Sequence, residues 1–325
     1  MRELTYTDAA REGLAEEMAA DPTIFVVGQG AGPRGGNFNT TTGLHELYGD
    51  MRLRDVGIYE RGFTGMCAGA AMTGARPVVD YMFLDFGLDA MGEIVNQIAK
   101  MQYMSSGRLK MPIVLRGCIG LGGSSATHHS GNYYPIFAHL PGFRVVLPTT
   151  PYDAKGLLKS AIRSDDPVIF LEHKSLLNTR GEVPSEEYVI PFGQASVRRV
   201  GTDATVVALT SMVQKSLDVC DALSKEGMSV EVIDPRTIAP LDIGTILESV
   251  HKTGRLLIVD EDFAPCGVGA EIAAQVIDAG FDDLDAPIKR LNGAQTPTPY
   301  SATLEQAAIP QPEAIDRAIR DLLVE

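Results

Sequence analysis

Two kinds of hydrophobic spacing alternate along the chain. Near the N-terminus, Leu14 and Met18 stand one helical turn apart in an otherwise polar stretch, and Thr5 followed by Asp8 makes a capping-box pattern ahead of them. Together these predict a helix over Tyr6–Ala20. Unbroken apolar runs follow: TIFVV at 23–27, then Pro77–Met82, Ile113–Arg116, Arg144–Leu147 and Val168–Leu171. Each is short enough to be a buried strand. Helical segments over Gly62–Met72, Phe86–Met104 and Tyr152–Ser164 separate them. This alternation predicts an open, mostly parallel sheet with helices on both faces, an α/β domain.

From Lys174 to Asp203 the pattern breaks into turn-like NTRGEVPSEE with no sustained period, which reads as a linker. A second alternation then begins. Strands over Ala204–Leu209, Ser229–Ile233 and Leu256–Val259 are set among helices at Met212–Ser224, Ile243–Ser249 and Gly267–Ala279, a smaller α/β domain. The expected division is therefore 1–175, a linker over 176–203, and 204–325. Neither half shows an internal repeat.

Composition narrows the function classes. The 325 residues are 45% hydrophobic and 22% charged, as in an ordinary globular protein with room for two cores. No apolar run approaches the roughly 18 residues that span a bilayer. The polar, acidic N-terminus is unlike a targeting peptide, so a cytoplasmic location is expected, with no membrane partner. A net charge of -14 argues against nucleic acid. Cys67, Cys118, Cys220 and Cys266 lie far apart with no CxxC pair, which suggests neither a zinc site nor a disulfide framework.

Two local patterns carry candidate chemistry. The loop GQGAGPRGG follows a predicted strand, but a dinucleotide fingerprint starting at Gly28 and Gly30 would need glycine where Pro33 stands. A loop approaching a ligand or partner fits better, and a plain tight loop fits as well. Further on, the strand RLRDVGI runs directly into GFTGMCAGAAMTG, a helix of small residues suited to close packing, with Glu60 at the junction. Strand ends of parallel sheets are where ligands bind. On this evidence alone a solvated capping glutamate is the simpler reading.

The string VGIYERGFTGMCAGAAMTG, continued by GARPVVDYMFLDFGLDAMGEIVNQIAKMQYMSSG, LPGFRVVLPTTPYDAKGLLKSAIRSDDPVIFLEHK, EVIDPRTIAPLD and TPTPYS, closely resembles the beta subunit of the two-chain thiamine diphosphate-dependent 2-oxo acid dehydrogenases. That family includes the pyruvate, branched-chain 2-oxo acid and acetoin dehydrogenases, and the resemblance covers essentially the whole chain. It implies a pyrimidine-binding domain followed by a transketolase C-terminal-like domain.

The resemblance also implies roles. Glu60 would meet N1' of the cofactor's aminopyrimidine ring and activate it, with Gly28, Gln29 and Ile58 as further cofactor contacts and Phe86 stacking on the ring. His129 would face the substrate as a second catalytic residue, with His128, Tyr59 and Arg61 as weaker substrate candidates. An arginine salt-bridged outside the pocket is the plainer reading of Arg61. The segment containing Ala161, Ile162, Ser164 and Asp166 matches a loop that binds potassium in relatives, and reads equally well as the end of a helix.

The chain lacks the GDG motif that thiamine diphosphate enzymes use to hold the diphosphate through magnesium. The resemblance therefore implies an alpha subunit carrying GDG, an alpha2beta2 assembly with the cofactor shared between chains, and a lipoyl transacylase core as acyl acceptor. Departures from the family cluster at the substrate end. Gln29, Gly30 and Ala31 stand where Glu-Asp-Val is usual, Gly92 and Glu93 where Asp-Gln is usual, and His128 and Gly131 in place of two glutamines. Tyr59 and Arg61 replace small or apolar neighbours of the key glutamate. These leave two alternatives open: a two-chain non-oxidative carboligase or transketolase, in which GIAEQN is typical where this chain has GIYERG, and a non-catalytic assembly subunit.

Overall fold

The structure is a computed structural model that describes residues 1–324. Its backbone divides into two compact units, one of residues 1–119 and 136–192, the other of residues 120–135 and from Gly193 on.

The first unit contains β1 (Arg2–Thr5), β2 (Ile24–Gly28), β3 (Leu53–Asp55), β4 (Arg76–Phe83), β5 (Val114–Ile119), β6 (Arg144–Val146), β7 (Val168–His173) and β8 (Arg180–Val183). β1 and β8 pair antiparallel as a separate ribbon. The others hydrogen-bond in the order β6-β7-β5-β4-β2-β3, every pair parallel. Every residue of β5 and β7 is buried, as expected where helices cover both faces of a sheet.

The helix Tyr6–Ala20 forms where predicted, with the Thr5 side chain accepting from the backbone N–H of Asp8. It packs against the helix Pro151–Arg163, and the approach is close: a Cβ on Gly13 would lie 3.2 Å from the carbonyl oxygen of Lys155. Lys155 and Lys159 are buried there only because carboxylates accompany them. Lys155 Nζ stands 2.5 Å from Glu12 and 2.6 Å from Glu16, and Lys159 Nζ 2.5 Å from Glu16. Burial alone would lower the Lys155 pKa, but the bonds to Glu12 and Glu16 outweigh it and raise the pKa.

The single helix expected over Phe86–Met104 is instead a succession of short turns. Helical turns at Leu84–Gly87 and Leu88–Ala90 lead into Met91–Glu93, a wide i→i+5 turn at Ile94–Ile98, and Met101–Met104. The wide turn ends at Ala99, whose N–H reaches back to Ile94 and whose carbonyl oxygen would meet a Cβ on Gly142 at 2.2 Å. Close backbone approach, invisible in local periodicity, shapes this segment.

The second unit contains β9 (Ser196–Arg199), β10 (Ala204–Ala208), β11 (Val230–Asp234), β12 (Thr237–Ala239), β13 (Leu256–Phe263) and β14 (Lys289–Gly293). The order β14-β13-β10-β11-β9 is parallel except for the antiparallel edge strand β9. At the start of β12, Thr237 Oγ1 donates to the Pro240 carbonyl. The terminal helix Pro312–Val324, absent from the sequence prediction, buries Ile315, Ile319 and Leu322 in the core.

The stretch 176–203 expected as linker contains β8 and β9, and Tyr188 stacks on Tyr152 at 4.6 Å. Both strands are four residues long and largely polar, too short to show a period. Among the described residues no helix is long and apolar enough to cross a membrane.

Candidate active site

In the first unit the chemistry-bearing residues gather at the carboxyl ends of β2, β3 and β4. Gly28, the last residue of β2, is paired with Asp55 on one side and Asp80 on the other. A Cβ there would stand 2.4 Å from the Asp80 carbonyl oxygen, so glycine is what allows these strands to close. The chain then turns left-handed at Gly30, with φ of 72°, and the Gly30 N–H donates to Asp55 at 2.8 Å. Between these two residues Gln29 is turned so that its Nε2 donates to Glu60 Oε1 at 2.9 Å. Its carbonyl in turn accepts from Asn37 at 3.0 Å.

Glu60 is the first residue of the helix Glu60–Met72 and is 6% exposed. Among the described residues, its second oxygen has no hydrogen-bond partner. Its flanks point elsewhere. Ile58 is 85% exposed and Tyr59 67% exposed, and the Tyr59 ring lies where a side chain on Gly62 would collide with it. Arg61 donates to the Asp89 carbonyl at 3.2 Å, with the carboxylates of Asp89 at 3.5 Å and Glu93 at 3.9 Å, so its charge is engaged outside the buried carboxyl.

Phe86 belongs to an aromatic row. The β4 strand bulges between Asp80 and Phe83, with Met82 left-handed at φ 66° and its N–H bonded to Asp80 at 2.8 Å. Phe86 then meets Phe83 edge-on at 6.0 Å, and Phe83 meets Phe38 at 5.2 Å.

At the turn where potassium was expected, the carbonyl oxygens of Ile162 and Ser164 accept from Arg76 Nη1 at 3.0 and 2.9 Å. Asp166 accepts from Gln102 and Arg144, both at 3.0 Å, and Ala161 is buried. Two of the chain's own guanidinium groups, those of Arg76 and Arg144, thus hydrogen-bond at this turn.

His128 and His129 lie in the second unit, on the segment 120–135. They occupy a single helical turn, Thr127–His129, with His128 exposed and His129 half-buried. The segment is fastened at several points to carboxylates. Glu261 Oε1 accepts from the Leu121 N–H at 3.1 Å and from Asn132 at 2.8 Å, and its Oε2 from Ser211 at 2.6 Å. Glu305 accepts from the N–H groups of Gly122 and Ser124 at 2.9 and 3.1 Å. Tyr134 donates to Asp260, and Thr127 to the Thr298 carbonyl at 3.1 Å.

Asp260, Glu261 and Asp262 end an apolar strand and are all buried. Burial raises Asp260 to about 6, the Tyr134 bond opposing it, and raises Asp262 to about 8, with the Asp260 charge adding to the effect. No sequence motif marks these three acids or Glu305. The three acids share one local signal, the run DED near the end of LLIVDEDF.

Residues 2–180 match the family described as transketolase, pyrimidine binding domain, and residues 193–315 match transketolase, C-terminal domain. The fold and these matches define a transketolase-type chain of the thiamine diphosphate-dependent class. Among curated relatives, the chain is 43% identical to the rice (Oryza sativa subsp. japonica) pyruvate dehydrogenase E1 component subunit beta-2, mitochondrial, over 98% of this chain and 86% of the relative. It is 41% identical to the 2-oxoisovalerate dehydrogenase subunit beta of Bacillus subtilis, covering 99% of each. To the acetoin:2,6-dichlorophenolindophenol oxidoreductase subunit beta of Cupriavidus necator it is 42% identical, over 98% of this chain and 97% of the relative. A solved split gene transketolase, described as an inactive beta4 tetramer, shares the fold with a TM-score of 0.80 at 22% identity, over 99% of this chain and 98% of that one. The chain belongs to the family of beta subunits of the 2-oxo acid and acetoin dehydrogenases, which are oxidoreductase components.

Proposed function

We propose that this chain is the pyrimidine-side half of a thiamine diphosphate enzyme acting on a small 2-oxo acid or acetoin-type hydroxyketone. An alpha subunit bearing a GDG motif would complete it in an alpha2beta2 assembly and hold the diphosphate and magnesium. One observation carries the reading: Glu60 is buried at a helix start, one oxygen held by Gln29 and the other without a hydrogen-bond partner among the described residues. That fits a ring nitrogen. A carboxyl so placed can share a proton with N1', which glutamine could not do and for which aspartate would be too short.

When bound, the cofactor supplies a carbon nucleophile for the substrate carbonyl. The chain's own residues do the rest. Glu60 holds the proton at N1', Gln29 fixes the carboxyl's orientation, and Phe86 presents an aromatic face for stacking. His129 hydrogen-bonds the substrate carboxylate or the developing product. Arg61, tied to Asp89 and Glu93, contributes little to binding. Acyl transfer to a lipoyl group on a transacylase core completes the oxidative reading.

The test is co-expression with the alpha subunit, followed by calorimetric cofactor titration and 2-oxo acid-dependent reduction of an artificial electron acceptor. Wild type is expected to bind and turn over, and Glu60→Gln to lose turnover. Full activity in Glu60→Gln would sink the mechanism. Cofactor binding by this chain alone would sink the shared-site reading, and no binding in the complex would favour an assembly role. Carboligation without acceptor reduction would favour the non-oxidative alternative.

A further inference from the structure

The segment that carries His128 and His129 has an unusual backbone. Gly120, Gly122 and Gly123 have φ of 91°, 140° and 71°, and the non-glycine residues Ser124 and Ala126 have φ of 52° and 59°. Side chains disfavour that region, so such a shape persists only where surrounding contacts over-determine it. Successive N–H groups turned to one side by a backbone of this kind make a concavity suited to an anion.

Here the anions belong to the protein. Both oxygens of Glu305 are used by the loop, one by the Gly122 N–H and one by the Ser124 N–H, and among the described residues the side chain bonds nothing else. Glu305 is 2% exposed, so its charge is kept from water and satisfied by those two amides. Glu261, equally buried, spans the loop's two ends by taking the Leu121 N–H and the Asn132 amide on the same oxygen. The turn Thr127–His129 lies between these fastenings, with the His129 N–H reaching back to the Ala126 carbonyl.

We propose that Glu305 and Glu261 are positioning residues: their carboxylates hold the 120–132 backbone in the left-handed shape that presents His129 to substrate. This rests on the substrate role read for His129 above. The carboxylates touch no reacting atom. They act by denying the loop its other conformations, because removing either leaves amides without acceptors and releases strained residues to ordinary φ values.

A double-mutant cycle in the reconstituted alpha-beta complex tests this, using Glu305→Ala, His129→Ala and the pair. Glu305→Ala is expected to lower kcat/KM about 10- to 100-fold. In the His129→Ala background the same change should cost no more than about twofold, because the histidine it serves is gone. Glu305→Gln, which keeps an acceptor oxygen, should recover part of the loss and carries the same cycle if Glu305→Ala proves unstable on heating. Hydrogen exchange over residues 120–126 should quicken about tenfold or more in Glu305→Ala, while exchange in β10 and β11 stays unchanged.

Fully additive losses in the cycle would overturn the proposal. So would unchanged exchange over 120–126, whatever the activity. A wild-type complex without 2-oxo acid turnover would instead count against the proposed function, and the exchange result would then decide by itself whether Glu305 holds the loop.

Discussion

Glu60 and His129 rest on two kinds of scaffold. Glu60 opens a 13-residue helix at the end of a parallel sheet, and one side-chain amide orients it. The helix, its small residues and the strand before it are contiguous in sequence, so local geometry does most of the positioning. His129 sits on a segment with little regular structure, whose backbone N–H groups bond carboxylates more than 100 residues further along the chain. A residue on a helix start has its backbone placed by the helix itself, and only its side-chain orientation depends on a partner such as Gln29. One on a left-handed loop inherits every weakness of its anchors.

The largest expected effect falls on the helix side. Glu60→Gln should lower kcat by about 10²- to 10⁴-fold, the range for loss of a proton-transfer partner, with the folded structure retained by circular dichroism. Gln29→Ala sharpens the same side. It removes the donor to Glu60 and should cost about 1.5–3 kcal/mol of transition-state stabilisation, read as a fall of roughly ten- to a hundredfold in kcat/KM. An unchanged value would mean that the helix start alone orients Glu60.

The acids beneath the histidine loop give a pH test. Asp262 has a folded pKa of about 8, against roughly 3.9 in an unfolded chain. Between those values the folded state keeps a proton that the unfolded state has released. The stability this group contributes is therefore fully present below about pH 4 and is lost as pH rises through about 8, with a slope of up to about 1.4 kcal/mol per pH unit. Asp260, raised to about 6, acts in the same direction over the lower part of the range. The thermal midpoint of wild type should fall from pH 5 to pH 8.5, and Asp262→Asn should flatten that fall. Parallel profiles for the two proteins would refute the assignment. The smallest effect is expected for Arg61→Ala, within about twofold in kcat/KM, because Arg61 is an exposed group already paired with Asp89 and Glu93.

Much of this molecule is legible in its sequence. The helix Tyr6–Ala20 and the helix Met212–Ser224 fall where periodicity placed them, because each is amphipathic over several turns. The strands β2, β4, β5, β7, β10, β11 and β13 were readable as apolar runs because helices bury both faces of the parallel sheets. The place of Glu60 at a strand-to-helix junction is legible too, but its role follows only from the family resemblance, since a solvated cap is the simpler reading of the junction alone. Less was visible where contacts are distant. The segment 86–104 breaks into turns against Gly142, and the polar strands β8 and β9 form only against partners elsewhere in the chain.

What the sequence by itself determined is the alternation of strands and helices, the place of Glu60 at a strand-to-helix junction, and the family to which the chain belongs. All three are written in contiguous residues. The tertiary structure decided which distant groups the candidate residues and their loops meet: Gln29 on Glu60, Arg76 on the carbonyls of Ile162 and Ser164, Glu261 and Glu305 on the histidine loop. Hydrogen bonds between distant residues leave no period in a sequence, since a buried carboxylate needs only donors within reach and not neighbours in the chain.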